Sequence, residues 1–355
     1  MWRRRCGFAA KAAVIVWSPR LSARFPTVQG VQASALWFRA PGRVEVGPVD
    51  LPAVGPGEVL VRTMWSGISS GTELLAYRGE LPPDLVLDES LAMAGSFTYP
   101  FRYGYSCVGR VERSSSDLDE GAIVVALAPH QDRVVVPSGD VVVLPEVDLR
   151  HATLFPLVET ALQISLDAGA VAHRPVVVTG LGVVGVLTAV LLQRQGADVL
   201  AADPSDARRH LARSLGLAAV APDELAAAVG PAGSPLLIEV SGRPEALAAG
   251  LELLAHEGTA LVASWYGTKP ASLPLGGAFH RRRLTIRSTQ VSTIPAALAA
   301  QWSVARRREV AAGLLGALPL GALATHEFAF DEAPAAFAAL DRGEEGLLHA
   351  ALRYP

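Results

Sequence analysis

The sequence is poor in cysteine, with only Cys6 and Cys107 in 355 residues. That excludes a disulfide framework and any zinc lobe built on four cysteines, and it suits a reducing cytoplasm. Aromatic residues make up only 6% of the chain, and Ala, Gly, Val and Leu dominate instead. Such small and branched apolar side chains suit buried parallel strands packed closely under helices. Net charge is also nearly absent, at −3, so nothing marks a surface for nucleic acid or another polyanion. Acidic residues are missing from positions 1–30, which carry Arg3, Arg4, Arg5, Lys11, Arg20 and Arg24. The apolar stretch Ala12 to Trp17 is too short for a secretory signal, and no stop-transfer pattern follows. Residues 1–30 therefore read as a flexible N-terminal extension.

Long apolar runs are scarce too. The segment Pro175 to Leu192 carries no charge, but glycines interrupt it, and a strand, turn and helix account for it better than a membrane span. No membrane partner is expected. Half of the residues are hydrophobic, as in a globular protein, and the length predicts two domains.

Between Ala33 and Leu144 short β-type runs alternate with turn residues. Ser34–Phe38, Val59–Met64, Val108–Val111, Ala122–Leu127 and Arg133–Val136 are the runs, punctuated at Pro41-Gly42, Pro56-Gly57 and Pro137. This is the pattern of a mostly antiparallel β domain. Near His173 the rhythm changes to strands alternating with helices. Strands are predicted at Val176–Thr179, Asp198–Ala202, Leu236–Val240, Thr259–Ser264 and Leu284–Ser288, and helices at Val184–Gln193, Ser205–Leu215 and Glu245–Leu254. That alternation implies βαβ units and a doubly wound parallel sheet, so the fold class is α/β. A last segment holds helices at Val304–Leu315 and Glu332–Leu340 and strands near Thr325–Phe330 and Leu348–Leu352.

Gly180, Gly182 and Gly185 form G-x-G-x-x-G directly between a predicted strand and helix. Gly180 permits the tight turn, Gly182 the approach of a pyrophosphate to the backbone, and Gly185 close packing of helix on strand. The N-terminal helical residues Val183 and Val184 present free N–H groups to the phosphates. Asp203 ends the next strand, where a carboxylate accepts hydrogen bonds from the adenosine ribose. It favours NAD, because a 2′-phosphate would face a carboxylate; Arg208 and Arg209 lie just beyond and keep NADP open as the alternative.

The order of β domain, dinucleotide domain and C-terminal return resembles the medium-chain dehydrogenase/reductase superfamily. The residues that carry the resemblance are Pro56-Gly57-Glu58-Val59-Leu60-Val61, Gly67-Ile68, Gly104, Gly109-Arg110-Val111 and Phe330-Asp331-Glu332-Ala333. Within it, Ser66-Gly67-Ile68-Ser69-Ser70-Gly71-Thr72-Glu73, Tyr99-Pro100 and Gly104-Tyr105 look like the bacteriochlorophyllide dehydrogenases. The resemblance implies a GroES-like catalytic domain over 31–172, a Rossmann domain over 173–292 and a return to the catalytic domain over 293–355. It also implies a homodimer through the strand Leu284–Ser288, and nicotinamide contacts at Ser264 and Trp265.

In zinc-containing relatives a cysteine, a histidine and a cysteine or glutamate hold the metal. Here those positions fall at Ser69 or Ser70, Tyr105 and Phe155. Zinc prefers cysteine, histidine or carboxylate, so no zinc is expected, and Glu159 alone cannot replace the set. The expected reaction moves hydride between NAD(P) and a small-molecule secondary alcohol or ketone. Charge building on the substrate oxygen needs a donor, and Tyr105, Thr72, Ser70 and Ser69 are the candidates. Glu73 orients Thr72 or the nicotinamide, or lies at the surface, and His130 faces the cleft or serves its loop. Trp265 and Tyr266 line an apolar pocket or belong to the core, and His280-Arg281-Arg282-Arg283 is a solvated strand approach or an anion contact. A zinc-free enoyl or quinone reductase and a non-catalytic nucleotide sensor are the competing functions.

Overall fold

The computed structural model describes residues 32–87 and 95–355, so the extension read from residues 1–30 lies outside the described residues. Two strands, β1 (Gln32–Ala40) and β2 (Arg43–Asp50), form an antiparallel hairpin. Its turn needs the left-handed Gly42, at φ 72°. β3 (Glu58–Ile68) leads into the helix α1 (Thr72–Arg78), and β4 (Cys107–Ser114), β5 (Ile123–Ala126), β6 (Arg133–Pro137) and β7 (Val141–Val143) follow. Two helices, α2 (Leu149–Ala152) and α3 (Phe155–Ala168), then lead into the alternating region.

There, β8 (Pro175–Thr179), α4 (Val183–Arg194), β9 (Asp198–Ala202), α5 (Asp206–Ser214) and β10 (Ala218–Val220) make the first half. α6 (Leu225–Val229), β11 (Ser234–Glu239), α7 (Pro244–Leu251), β12 (Leu254–Val262) and β13 (Thr285–Ser288) make the second. The six strands pair in the order β10-β9-β8-β11-β12-β13, every ladder parallel. Strand order reverses between β8 and β11, and in such sheets ligands bind at that crevice, beyond the carboxyl ends of the strands. The predicted strand Thr259–Ser264 stops at Val262, which leaves Ser264 and Trp265 in the loop above that end.

The chain then returns. After α8 (Val304–Leu314) and α9 (Leu320–Leu323), β14 (His326–Ala329), α10 (Ala333–Arg342) and β15 (Ala350–Arg353) follow. β15 lies antiparallel to β3 and parallel to β14, inside a seven-stranded sheet ordered β14-β15-β3-β4-β5-β7, with β6 also on β3. α10 covers the hairpin, with Phe337 edge-on to Phe38 at 5.4 Å. Burying each such side chain contributes about 1.5–3 kcal/mol. No helix among the described residues is long and apolar enough to cross a membrane.

Candidate active site

β8 is buried from Val176 to Thr179 and ends at Gly180, whose φ of 105° is open only to glycine. A Cβ there would lie 2.7 Å from Ser241 Cα, and one on Gly185 would lie 2.0 Å from the Gly180 carbonyl oxygen. Both glycines are therefore fixed by close backbone packing. Gly182, the residue before α4, differs: a Cβ there would meet nothing within 4 Å. That open space lies against the free N–H groups of Val183 and Val184, and it fits the pyrophosphate of a dinucleotide.

Asp203, directly after β9, spans this loop and the next helix. Its carboxylate accepts hydrogen bonds from Leu181 N–H and Ser205 N–H, each at 2.8 Å. A carboxylate has about four acceptor positions, so two remain for ribose hydroxyls. Arg208 lies with Nη1 3.7 Å from Asp203 Oδ2. Arg209 is not available to a ligand in the same way: its guanidinium donates to the carbonyls of Asp203 and Pro204 and to Asp206. Ser264 accepts from Gly242 N–H at 2.8 Å and so ties the loop after β12 to the turn after β11. Tyr266 donates to the buried Glu239 at 2.6 Å. Burial and this carboxylate both raise its pKa, so the hydroxyl stays protonated.

On the catalytic side Ser69, Ser70 and Thr72 share the turn from β3 into α1. Ser69 is buried, Ser70 exposed and Thr72 half-buried. The turn is held from below by Glu73, which is wholly buried rather than at the surface. One Glu73 oxygen accepts from Ser69 N–H at 2.9 Å. The other lies 2.8 Å from His130 Nε2. His130 is also wholly buried, which sets aside the alternative that it faces the cleft. Its Nδ1 lies 2.7 Å from Ser66 Oγ, and Ser66 lies 3.0 Å from the Tyr354 hydroxyl.

One assignment satisfies every donor in this chain. Tyr354 donates to Ser66, Ser66 to His130 Nδ1, and His130 Nε2 to Glu73. Burial keeps Tyr354 protonated, with its pKa well above the usual phenol range. Glu73 thus accepts from two donors, Ser69 N–H and His130 Nε2. Gly104 packs directly on the ring: at φ 122°, its Cβ would fall 2.6 Å from His130 Cδ2. His130 therefore fixes both the Ser69–Thr72 turn and the segment leading into Tyr105, which is half-buried beside Tyr103 at 5.9 Å between rings.

Serine and glutamate on one turn were visible as a motif. Their link to His130, 57 residues from Glu73, and to Tyr354, 288 residues from Ser66, leaves no local signal. Glu159 is not poised as a ligand: it accepts two hydrogen bonds from the buried Arg307, at 2.9 and 3.1 Å. Two arginines of the basic run serve structure, with Arg282 donating to the Glu252 and Leu254 carbonyls and Arg283 paired to Glu257.

A family model described as zinc-binding dehydrogenase matches residues 183–305. L-threonine 3-dehydrogenase of Pyrococcus horikoshii is 25% identical, over 63% of this chain and 73% of its own. D-guloside 3-dehydrogenase of Escherichia coli K12 is 25% identical, over 74% of this chain and 82% of its own. An alcohol dehydrogenase of E. coli CFT073 complexed with NADH has a TM-score of 0.74 at 18% identity, covering 91% of this chain and all of that one. A dehydrogenase of Sinorhizobium meliloti 1021 bound to NADP has a TM-score of 0.73 at 20% identity, covering 91% of this chain and 99% of that one. The chain has the GroES-like and Rossmann architecture of the medium-chain dehydrogenase/reductase superfamily and is similar to its members. It is an NAD(P)-dependent oxidoreductase.

Zinc is the metal this superfamily suggests, and the residues here do not fit it. Ser69, Ser70, Tyr105 and Phe155 offer hydroxyls and a phenyl ring. Nearby Cys107 is fully buried, hydrogen-bonds to the Ala128 and Pro129 carbonyls, and has its thiol pKa pushed up to about 12 by burial. Both nitrogens of His130 are engaged. Among the described residues no three His, Cys, Asp or Glu side chains are grouped to hold a metal.

Proposed function

We propose that this protein interconverts a secondary alcohol and its ketone with NAD(H), using hydroxyl groups in place of zinc. One observation carries the reading: a buried acid–histidine pair organises the turn that bears Ser69, Ser70 and Thr72, and hydroxyls stand at two of the three positions that the resemblance assigns to zinc ligands. A bound nicotinamide supplies or accepts the hydride. In the reduction direction, negative charge builds on the carbonyl oxygen, and a preorganised O–H donor lowers that barrier. Tyr105 and Thr72 are the donors, with Thr72 passing the proton towards solvent past Ser70. Glu73 and His130 touch no reacting atom; they hold the turn. The relatives named above act on hydroxyl-bearing compounds, which supports an alcohol substrate over an enone.

NAD is the preferred cofactor. A carboxylate at the end of β9, Asp203, would repel a 2′-phosphate, and one arginine at 3.7 Å only partly offsets it. Calorimetric titration of NADH and NADPH checks this; tighter NADPH binding that is lost in Arg208→Ala would reverse the assignment. For the chemistry, Tyr105→Phe is expected to lower kcat by about 100-fold or more while NADH affinity stays nearly constant. Thr72→Ala should behave likewise, and the double variant should be little worse than either single one. Stoichiometric zinc by elemental analysis, or a double variant with wild-type turnover, would refute the proposal.

A further inference from the structure

A groove outside the cofactor and catalytic residues lies between β7 and α8. Its volume is about 720 Å³, and it shares no residue with the candidate active site. The walls are apolar, with Val141, Val143 and Leu144 on the sheet side and Val304 and Ala312 on the helix. Val143 is 54% exposed, so this wall leaves apolar surface in water. Gly139 and Gly313 also line the groove, and a Cβ on either would meet nothing within 4 Å. The space is open at both walls, and its volume is that of a small-molecule site.

One cation breaks the apolar lining. The side chain of Arg308, on α8, is only 16% exposed. Among the described residues its guanidinium nevertheless donates no hydrogen bond, and its Nε is buried without a partner. Its carboxylate neighbour is Glu159, whose Oε1 lies 3.6 Å from that Nε. The same oxygen already accepts from the buried Arg307 at 2.9 and 3.1 Å. Two guanidiniums thus share one carboxylate, and one positive charge is left over at the groove. A mostly buried guanidinium with idle donors is costly, because its lost hydration is not replaced. Glu309 also lines the groove, but it is exposed at the rim, where water and salt screen it.

We propose that this groove binds an organic monocarboxylate with a short apolar chain, its head on Arg308 and its tail over Val143, Leu144 and Val304. A carboxylate matches the guanidinium fork with charge-assisted hydrogen bonds, and it cancels the surplus charge without adding another. A phosphate dianion would overshoot that charge and meet Glu309. An uncharged alcohol would cover the same apolar wall and leave the Arg308 donors idle. The inference is independent of the reaction assigned above, since neither wall carries a residue of that site.

Calorimetric titration of the full-length protein with octanoate, 1-octanol and inorganic phosphate tests this. Octanoate should bind more tightly than 1-octanol by about 10-fold or more, and phosphate should give no heat of binding. Arg308→Gln should bring octanoate down to the level of 1-octanol, and it leaves the contact between Arg307 and Glu159 in place. Gly313→Leu, which narrows the groove, should weaken both tail-bearing ligands by about 10-fold. Replacing a helical glycine favours the helix, so Gly313→Leu should fold even if Arg308→Gln does not. Binding is read without turnover: an inactive protein that takes octanoate in this pattern would keep the groove and sink the dehydrogenase reading. Equal affinity for octanoate and 1-octanol, phosphate bound as tightly as octanoate, or octanoate binding unchanged in both variants would overturn the inference.

Discussion

His349 shows how much a single buried side chain can impose on the molecule. It lies just before β15 and is 1% exposed, and a Cβ on Gly67 would come 2.9 Å from its Nε2. Burial and, secondarily, the Arg150 charge lower its pKa to about 3, so it is neutral when folded. The unfolded chain binds a proton at this residue below about pH 6.5, and the folded chain does not. Its effect on stability is therefore nil above that pH and grows as pH falls towards about 3. The slope approaches about 1.4 kcal/mol per pH unit. Urea unfolding at pH 7, 6 and 5 should show His349→Leu losing less stability on acidification than the wild type by that amount. Equal slopes would mean that the ring is protonated in the fold.

At the scale of elements, the joint between α3 and α8 depends on Arg307. Its guanidinium donates to Glu159 and to Gln163, the latter at 2.5 Å, with both ends of the pair buried. Removing Arg307 leaves buried Glu159 only the longer contact to Arg308, at 3.6 Å, so Arg307→Met should cost about 3 kcal/mol in denaturant unfolding. Arg307→Met combined with Glu159→Leu should recover most of that loss, since an apolar pair of similar volume avoids both desolvation penalties. A double variant worse than the single one would count against this account. α3 was also the largest element not legible in the sequence. It is buried on nearly every face, so no amphipathic period marks it, and Pro156 in its first turn looks like a breaker. β2 was missed because Gly47 and Pro48 interrupt its run of strand-forming residues, although a two-stranded edge tolerates both. The βαβ frame was legible because each strand is a short apolar run ended by glycine or a helix cap, as Ser205 caps α5. The cofactor loop was legible for the same reason, as one contiguous stretch. The acid–histidine–serine–tyrosine cluster was not, because long-range pairing alone brings it together.

For the whole molecule, the parallel sheet ends in an open edge. β13 pairs with β12 on one side only and is largely exposed, which supports the expected two-fold pairing of subunits through this strand. Light scattering should give a dimer mass at micromolar concentration, and Ile286→Pro, which removes an edge hydrogen bond and fixes the backbone, should shift it to monomer. A monomer mass for the wild type would dismiss the interface. The catalytic sheet has a different vulnerability, set by the place of β15 between β3 and β14. As the chain is synthesised, β3 emerges early and β15 after every other strand described here. Until β15 arrives, the Trp65–Ile68 end of β3 is open on the side that β6 covers only over Glu58–Arg62, and Ser66 lacks the tyrosine that completes its cluster. The nascent protein must therefore hold that end of the strand open through the making of the entire cofactor domain, a period in which an exposed strand edge invites pairing with a neighbouring chain. A chain cut before Ala350 would keep the dinucleotide fold whole and leave the catalytic half unfinished.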